Sequence, residues 1–203
     1  MSNLEKALSG LLKNDELAAF LAAVLAYASK TGRISYSEVT DIVGENTEEV
    51  LLLGNKWRLF LPVKVEKSGA WEDRLLLCKP GESYVLPNIV LDLVQNASRN
   101  GCWEPMKAIA KVFKGIGEPA WQQMPELTAE LWKEARNGQV SAVQIKEVFI
   151  RAGLGDKIDV LIAELKGTGV MSPKLGSLAE VSRATSPIYE LNPSLFVKKG
   201  YTE

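Results

Sequence analysis

The feature that most constrains the fold of this chain is a pattern that occurs twice, about 106 to 111 positions apart. The segment "GRISYSEVTDIVG" at residues 32–44 is echoed by "GQVSAVQIKEVF" at residues 138–149. The apolar positions that match are Ile34, Val39 and Ile42 in the first copy and Val140, Ile145 and Val148 in the second. Because a copy of this length can bury a core of its own, the pattern predicts two similar small domains.

The first copy carries the signals of three helices followed by a β-hairpin. Residues that cap helix N-termini precede apolar residues at helical spacing. The predicted caps are Asp15, Ser35 or Ser37, and Asn46 or Thr47. The alternation at Val63 and Val65 and the run from Arg74 to Cys78 predict two paired strands, and Pro80-Gly81 is predicted to end the unit.

The second copy repeats this order. Its third helix is predicted within "DKIDVLIAELKGTG", residues 156–169, and its returning strand within "PIYELNPSLF", residues 187–196. The predicted fold class is therefore mainly α with small β-hairpins (α+β). Domains at 1–86 and 125–203 are joined by a helical linker at 87–124.

The linker is too apolar to be a free tether. Two helices are predicted in it, at about residues 88–97 and 104–114. Its apolar residues are Ile89, Val90, Leu93, Val94, Met106, Ile109 and Phe113. We expect these side chains to be covered, with the two domains fixed against each other or against a second subunit.

The composition argues against catalysis and against a membrane protein. The chain has no histidine, which removes Ser-His and Cys-His pairs and the commonest metal ligand. No phosphate-binding loop and no zinc or iron spacing occurs, so no enzyme activity, cofactor or metal is predicted. Cys78 and Cys102 have no CxxC spacing, and the apolar run at residues 17–28 is too short to span a bilayer. A cytoplasmic location is therefore expected.

The repeated segments resemble the winged helix-turn-helix superfamily, present in tandem. The residues that carry the resemblance are "GRISYSEVTDIVG" with the hairpin "PVKVE…RLLLC", and "GQVSAVQIKEVFIRAGL" with "PIYELNPSLF". The resemblance implies that the third helix of each unit would enter the DNA major groove and that the wing would touch the backbone. It also implies an alternative, because tandem winged-helix proteins serve as partner subunits in chromosome condensation, endosomal sorting and polymerase complexes.

Local charge decides which residues could contact phosphates. The segment from Glu38 to Glu49 carries five carboxylates and no Lys or Arg, which is the wrong sign for DNA at the first third helix. The second copy and the linker supply the candidate phosphate contacts. These are Lys146, Arg151, Lys157, Lys174 and Arg183 in the second copy and Lys107, Lys111 and Lys114 in the linker. Ordinary solvated lysines on amphipathic helices would produce the same pattern.

Two functions follow as hypotheses. The first is a non-enzymatic DNA-binding transcriptional regulator, expected as a homodimer on double-stranded DNA. The alternative is a protein-interaction or scaffold subunit that uses its folds and its apolar linker as docking surfaces. Trp71 near the hairpin tip and Trp103 in the linker are the candidate partner anchors, because large aromatic residues dominate binding hot spots. Trp71 could equally fold back onto its own chain.

Overall fold

The computed structural model describes residues 1–12, 15–63, 70–71, 74–174 and 186–196. It has the mixed α+β composition that the sequence predicts. The first half contains α1 (Asn3–Leu12), α2 (Asp15–Ala28), β1 (Arg33–Ser35), α3 (Tyr36–Val43), α4 (Thr47–Lys56), β2 (Leu61–Pro62), β3 (Ser83–Val85) and α5 (Asn88–Asn100). The second half contains α6 (Pro105–Gly115), α7 (Met124–Glu134), β4 (Gln139–Ser141), α8 (Ala142–Arg151), α9 (Ile158–Thr168), β5 (Met171–Lys174) and β6 (Ile188–Leu191).

The chain divides into two compact units. The first comprises residues 1–66 and 74–105, and the second comprises residues 67–73 and 106–203. The predicted linker is shared between them, because α5 lies in the first unit and α6, from Met106 onward, lies in the second. Of the seven apolar linker residues only Met106 is exposed, at 36% of its surface, and the other six are buried. These apolar faces are therefore core, and they offer no docking surface. The three-part division into 1–86, 87–124 and 125–203 stays a prediction.

The two units have the same order of elements: helix, strand, helix, 3₁₀ turn, helix and two strands. Each unit has a three-stranded antiparallel sheet, with the order β1-β3-β2 in the first and β4-β6-β5 in the second. The register also corresponds, since Ile34 pairs with Tyr84 and Val140 pairs with Tyr189. The internal repeat seen in the sequence is thus repeated in topology and strand register.

The predicted return strand of the first unit is wrong. Residues 74–78 form no strand, and β2 pairs instead with β3, which begins after Pro80-Gly81. The reason is the buried Tyr84, whose side chain is fully covered and whose hydroxyl donates to the Leu77 carbonyl at 2.6 Å. Pro80-Gly81 therefore introduces the return strand and does not end the unit. The predicted strand position Val65 lies outside the described residues.

Capping explains where α3 and α8 begin. The Ser35 hydroxyl accepts from the Glu38 amide while the Glu38 carboxylate accepts from the Ser35 amide, which is a capping box. Ser141 and Gln144 form the same arrangement at the start of α8. Ser35, and not Ser37, is therefore the cap. At α4 the predicted capping bond from Asn46 is not made; the Thr47 hydroxyl donates to the Gly44 carbonyl instead.

The third helices α4 and α9 end alike, with different residues filling the same space. A residue of positive φ follows each helix, Arg58 at 53° and Gly169 at 85°. Counted from the 3₁₀ turns Gly44–Asn46 and Gly155–Lys157, Gly54 and Phe60 of the first unit correspond to Leu165 and Met171 of the second. Gly54 leaves room for the Phe60 ring, whereas the corresponding residues of the second unit are Leu165 and Met171. All four residues are buried, and the two pairs occupy equivalent positions in the cores of their units.

The edges of both sheets are closed. Because Val63 donates to the Ser83 carbonyl, the backbone of Pro62 faces away from β3, and its carbonyl accepts from Arg74 at 3.4 Å. Pro173 occupies the same place in β5, so neither strand presents an amide donor there. On the opposite edge the amide of Ser35 donates to Glu38 and the amide of Ser141 donates to Gln144. Partners that add a strand to a sheet edge find few open groups here.

The N-terminal helix α1 was not predicted, although its signal is present. Its buried residues, Leu4, Ala7, Leu8 and Leu11, have the spacing of one apolar helix face. The helix packs against α2 and α5 within the first unit. Among the described residues no helix has both the length and the apolar content needed to cross a bilayer.

Candidate functional site

The helix pair α3–α4 presents an acidic surface on the first unit. Asp41, Glu45, Glu48 and Glu49 are all exposed, and no Lys or Arg occurs between Arg33 and Lys56. Leu52 follows Glu48 by one helical turn and exposes 58% of its surface. We call Glu48, Glu49 and Leu52 the outward face of α4. This face combines negative charge with one uncovered apolar side chain.

Glu38 is the one carboxylate of this segment with a defined structural task. Its Oε1 accepts from the Tyr27 hydroxyl at 3.0 Å, and its Oε2 accepts from the Ser35 amide at 2.7 Å. Hydrogen bonds from the backbone and hydroxyl of Ser35, and then from Tyr27, lower the pKa of Glu38. Hydrogen-bond donors within the chain therefore stabilise the negative charge of Glu38, and the residue has a structural role at the start of α3.

The corresponding surface of the second unit is more apolar. On α8, Val143 and Ile150 lie two turns apart and expose 51% and 53% of their surfaces. On α9, Val160 exposes 56%. Residues that read base edges are typically Arg, Lys, Asn or Gln, and an exposed valine at the start of the third helix is not one of them. We call Val143, Ile150 and Val160 the apolar positions of the α8–α9 surface.

The predicted phosphate contacts of the second unit have several different environments. Lys146 is exposed on α8, while the Arg151 guanidinium pairs with the Glu134 carboxylate at 3.1 Å. Lys157 and Lys174 are half-buried, in the 3₁₀ turn before α9 and at the end of β5. Arg183 lies outside the described residues. Among the described candidates, the structure places Lys146 and Arg151 on one helix but commits Arg151 to an ion pair within the unit.

The three linker lysines all belong to α6 and are exposed. Lys107, Lys111 and Lys114 follow the spacing of one helix face, as the sequence indicates. The Lys114 ammonium lies 5.1 Å from the centroid of the Trp121 ring, within the range of a cation–π contact. This stripe is the clearest basic feature among the described residues.

The two predicted aromatic anchors differ. Trp71 exposes only 6% of its surface, lies in the second unit, and donates its backbone amide to the Ser172 hydroxyl at 2.8 Å. The Trp71 side chain is buried in the core and is not available to a partner. Of the two predicted alternatives, the residue therefore folds back onto its own chain. Trp103 is half-buried just before α6.

Two polar clusters in the second unit were missed from the sequence. Asn192 is fully buried, donates to the Gly169 carbonyl at 3.1 Å and accepts from the hydroxyl and amide of Ser194. Burial and then the negative charge of Glu118 raise the pKa of Glu164, and these two residues are 46 positions apart in sequence. The Asn192–Ser194 bonds are local, and an asparagine before Pro193 is a cap signal that the sequence offered. The Asn192–Gly169 bond and the effect of Glu118 on Glu164 join residues far apart, so only the tertiary structure reveals them. Across the part of the chain that the structure describes, no three metal-binding side chains are grouped.

A protein-family profile matches residues 3–199, nearly the whole chain, and its description states no activity or ligand. No curated protein and no solved structure matches the chain.

Proposed function

The chain belongs to the family matched over residues 3–199, and we propose that it is a non-enzymatic docking subunit that binds a basic protein segment. In this proposal both units are winged-helix folds. Their helix surfaces bind protein, whereas the same surfaces of a DNA-binding winged-helix protein bind DNA. The observation that carries the proposal is the outward face of α4, where a winged-helix DNA reader would present cations and this chain presents Glu48, Glu49 and Leu52.

Charge supports a basic partner. Phosphates would be repelled by Asp41, Glu45, Glu48 and Glu49, which are all exposed. A segment with Lys or Arg beside an apolar side chain would find both complements, carboxylates for its charges and Leu52 for its apolar group. Charge complementarity of this kind supplies specificity and association rate, while the apolar contact supplies affinity.

The closed sheet edges support docking through helices. The outward amides of Ser35 and Ser141 are already bonded within the chain, and Pro62 and Pro173 have no amide proton to donate. A partner that joined the sheet as an extra strand would gain few main-chain hydrogen bonds. The helix surfaces α3–α4 and α8–α9 are the alternative.

The test uses a charge reversal whose predicted effects on protein and DNA have opposite signs. The Glu48→Lys/Glu49→Lys variant should lose proteins that the wild-type chain captures from its native lysate, because the partner's cations would then be repelled. The same variant should bind duplex DNA more tightly than wild type, because two phosphate-facing carboxylates become cations. Glu16→Lys/Glu126→Lys is a matched control, since it changes the same net charge at exposed positions on α2 and α7.

A partner captured equally by wild type, the control and the reversed variant would overturn the proposed surface. Failure of the wild-type chain to retain any protein at low salt would overturn the docking function itself. Captured proteins must also carry the basic segment that the proposal requires, which peptide mapping by crosslinking would show.

A second candidate is DNA binding, supported by the exposed lysine stripe on α6. In this case the chain would act as a transcriptional regulator, with a homodimer on duplex DNA. Measuring DNA affinity over a range of salt concentrations tests this candidate, because each neutralised phosphate contributes about 0.9 to the slope of log K against log salt. Lys111→Ala/Lys146→Ala should lower that slope by about 2 if both lysines meet phosphates. A wild-type chain that does not bind duplex DNA at low salt would end this candidate, and sedimentation would test the dimer.

A further inference from the structure

The solvent-facing side of α8 carries a pattern of side chains that complements itself when the helix is reversed. The pattern consists of Val143, Lys146, Glu147 and Ile150, so that an apolar residue lies at each end and two opposite charges lie at the centre. Because each helical residue turns the chain by about 100°, these four positions fall within an arc of about 100°. We call them the outer stripe of α8, and the buried side chains of this helix lie on the other side.

The outer stripe is accessible to a partner. All four side chains are exposed, and the two apolar ones expose about half of their surfaces. Within the described ranges, neither Lys146 nor Glu147 has an ion-pair partner. The two residues cannot pair with each other within one helix, because neighbours in sequence do not face each other there.

A second copy of the chain presents the complement of this stripe. If two α8 helices pack antiparallel about a twofold axis midway between Lys146 and Glu147, Val143 faces the partner's Ile150 and Lys146 faces the partner's Glu147. The twofold symmetry repeats each contact, which gives two apolar contacts and two ion pairs. A parallel arrangement in the same register would instead place like charges beside each other, which is unfavourable.

We propose that the outer stripe of α8 is a homodimer interface, in which two copies of the chain pack their α8 helices antiparallel about this axis. Charge complementarity identifies the occupant as a second copy. The occupant must present a negative and a positive group between two apolar groups about 10 Å apart along its surface, and α8 itself does so. The interface is independent of the proposed docking function, because α8 belongs to the second unit and the outward face of α4 belongs to the first.

The interface is small, so the dimer should be reversible. Stable protein complexes bury about 1,200–2,000 Å² of surface, and weak, transient complexes bury less. Two apolar side chains from each copy therefore predict a dissociation constant in the micromolar range or weaker. The apolar contacts supply affinity, while the exposed ion pairs mainly fix the direction and register of the two helices.

The experiment measures the dimer of the full chain by sedimentation equilibrium over a range of concentrations. Lys146→Glu or Glu147→Lys should weaken the dimer by at least about tenfold, because each places like charges opposite each other at both contacts. The double variant Lys146→Glu/Glu147→Lys should restore the wild-type affinity, since opposite charges face each other again. A mixture of the two single variants should form a heterodimer for the same reason.

Ile150→Gln tests the apolar contacts and should also weaken the dimer by about tenfold or more, since the symmetry removes the contact twice. Leu52→Gln is the matched control, because Leu52 is similarly exposed but lies on α4 in the first unit. It should leave the dimer unchanged. Since Leu52 belongs to the proposed docking face, separate variants report failure of the dimer and failure of docking.

A second measurement uses the wild-type sequence alone. Carbodiimide treatment of a mixture of isotopically labelled and unlabelled chains should join Lys146 of one chain to Glu147 of the other. A chain that stays monomeric up to about 1 mM would overturn the proposal. So would a dimer that both single charge reversals leave intact. A monomeric wild type that loses a different lysate protein on Ile150→Gln would assign the outer stripe to that protein and overturn the proposal as well.

Discussion

At the scale of single residues, the smallest side chain of the first core is required by the largest. Gly54 lies in α4 directly against the Phe60 ring, which is fully buried, and any Cβ at Gly54 would overlap that ring. Glycine usually weakens a helix by about 1 kcal/mol relative to alanine. Here the loss of packing outweighs the helix preference, because the Phe60 ring is enclosed on all sides and cannot withdraw.

Gly54→Ala should therefore destabilise the first unit by about 1–3 kcal/mol, the usual cost of overpacking a core. Denaturant unfolding of the full chain, combined with amide exchange in α4, would measure the loss. Combining Gly54→Ala with Phe60→Met should recover part of it, since the residues at the corresponding positions of the second unit are Leu165 and Met171, both buried. Gly10→Ala, where a Cβ meets nothing within 4 Å, is the control and should stabilise α1. A neutral Gly54→Ala variant would contradict this account of the core.

Glu38 is the residue through which acid should act on the first unit. Its pKa is lowered by hydrogen bonds from Ser35 and Tyr27. A carboxyl with a lowered folded pKa contributes stability above its unfolded pKa, about 4.3, and that contribution disappears as pH falls through the folded pKa. Glu38→Gln should weaken this acid dependence and leave the fold intact, because Gln144 caps α8 in the same way. Hydrogen exchange of α3 amides between about pH 3 and pH 6 would measure the weaker acid dependence. An acid transition unchanged from wild type would contradict this role of Glu38.

At the scale of elements, the two capping boxes allow a matched experiment within one chain. Ser35→Ala and Ser141→Ala each remove the hydrogen bond that an N3 amide donates to a serine hydroxyl, at 3.2 Å in both helices. Each variant should cost about 1 kcal/mol of stability. The loss should appear in α3 amides for the first and in α8 amides for the second.

The control for this pair is Ser37→Ala. Ser37 is exposed within α3 and is not the cap, so its replacement should change stability by less than about 0.5 kcal/mol. Equal effects of Ser35→Ala and Ser37→Ala would place the start of α3 elsewhere and would undermine the correspondence between the two units.

At the scale of the whole molecule, sequence order and unit membership do not coincide. Residues 67–73 belong to the second unit, although residues on both sides of them belong to the first. Trp71→Ala should therefore destabilise the second unit, by about 3–5 kcal/mol for loss of a buried Trp side chain. Faster exchange of the Leu161 and Leu165 amides would report it. Leu75→Ala, four residues later but 63% exposed, should leave those amides unchanged.

Equal effects of Trp71→Ala on α4 and α9 amides would contradict the assignment of this segment to the second unit. The same comparison separates a loss of packing from a loss of the Trp71–Ser172 hydrogen bond. Ser172→Ala removes the acceptor of the Trp71 amide and the donor to the Pro173 carbonyl, and should cost about 1–3 kcal/mol.

The sequence alone predicted the duplication, the helices of both copies and the linker, the Ser35 cap as one of two options, and the strand at "PIYELNPSLF". All of these depend on contacts between near neighbours, through apolar spacing and capping residues whose effect is local. The acidic character of the α3–α4 segment was also readable, because charge along an exposed helix needs no tertiary information.

The tertiary structure alone decided the return strand of the first unit, the burial of Trp71 and the influence of Glu118 on the pKa of Glu164. Residues 74–78 and 83–85 are both apolar enough to form a strand, and pairing with β1 and burial of Tyr84 select the second. Trp71 and the carboxyl pair depend on contacts between residues far apart in sequence. Such contacts are set by how the cores close, which no local pattern of side chains encodes.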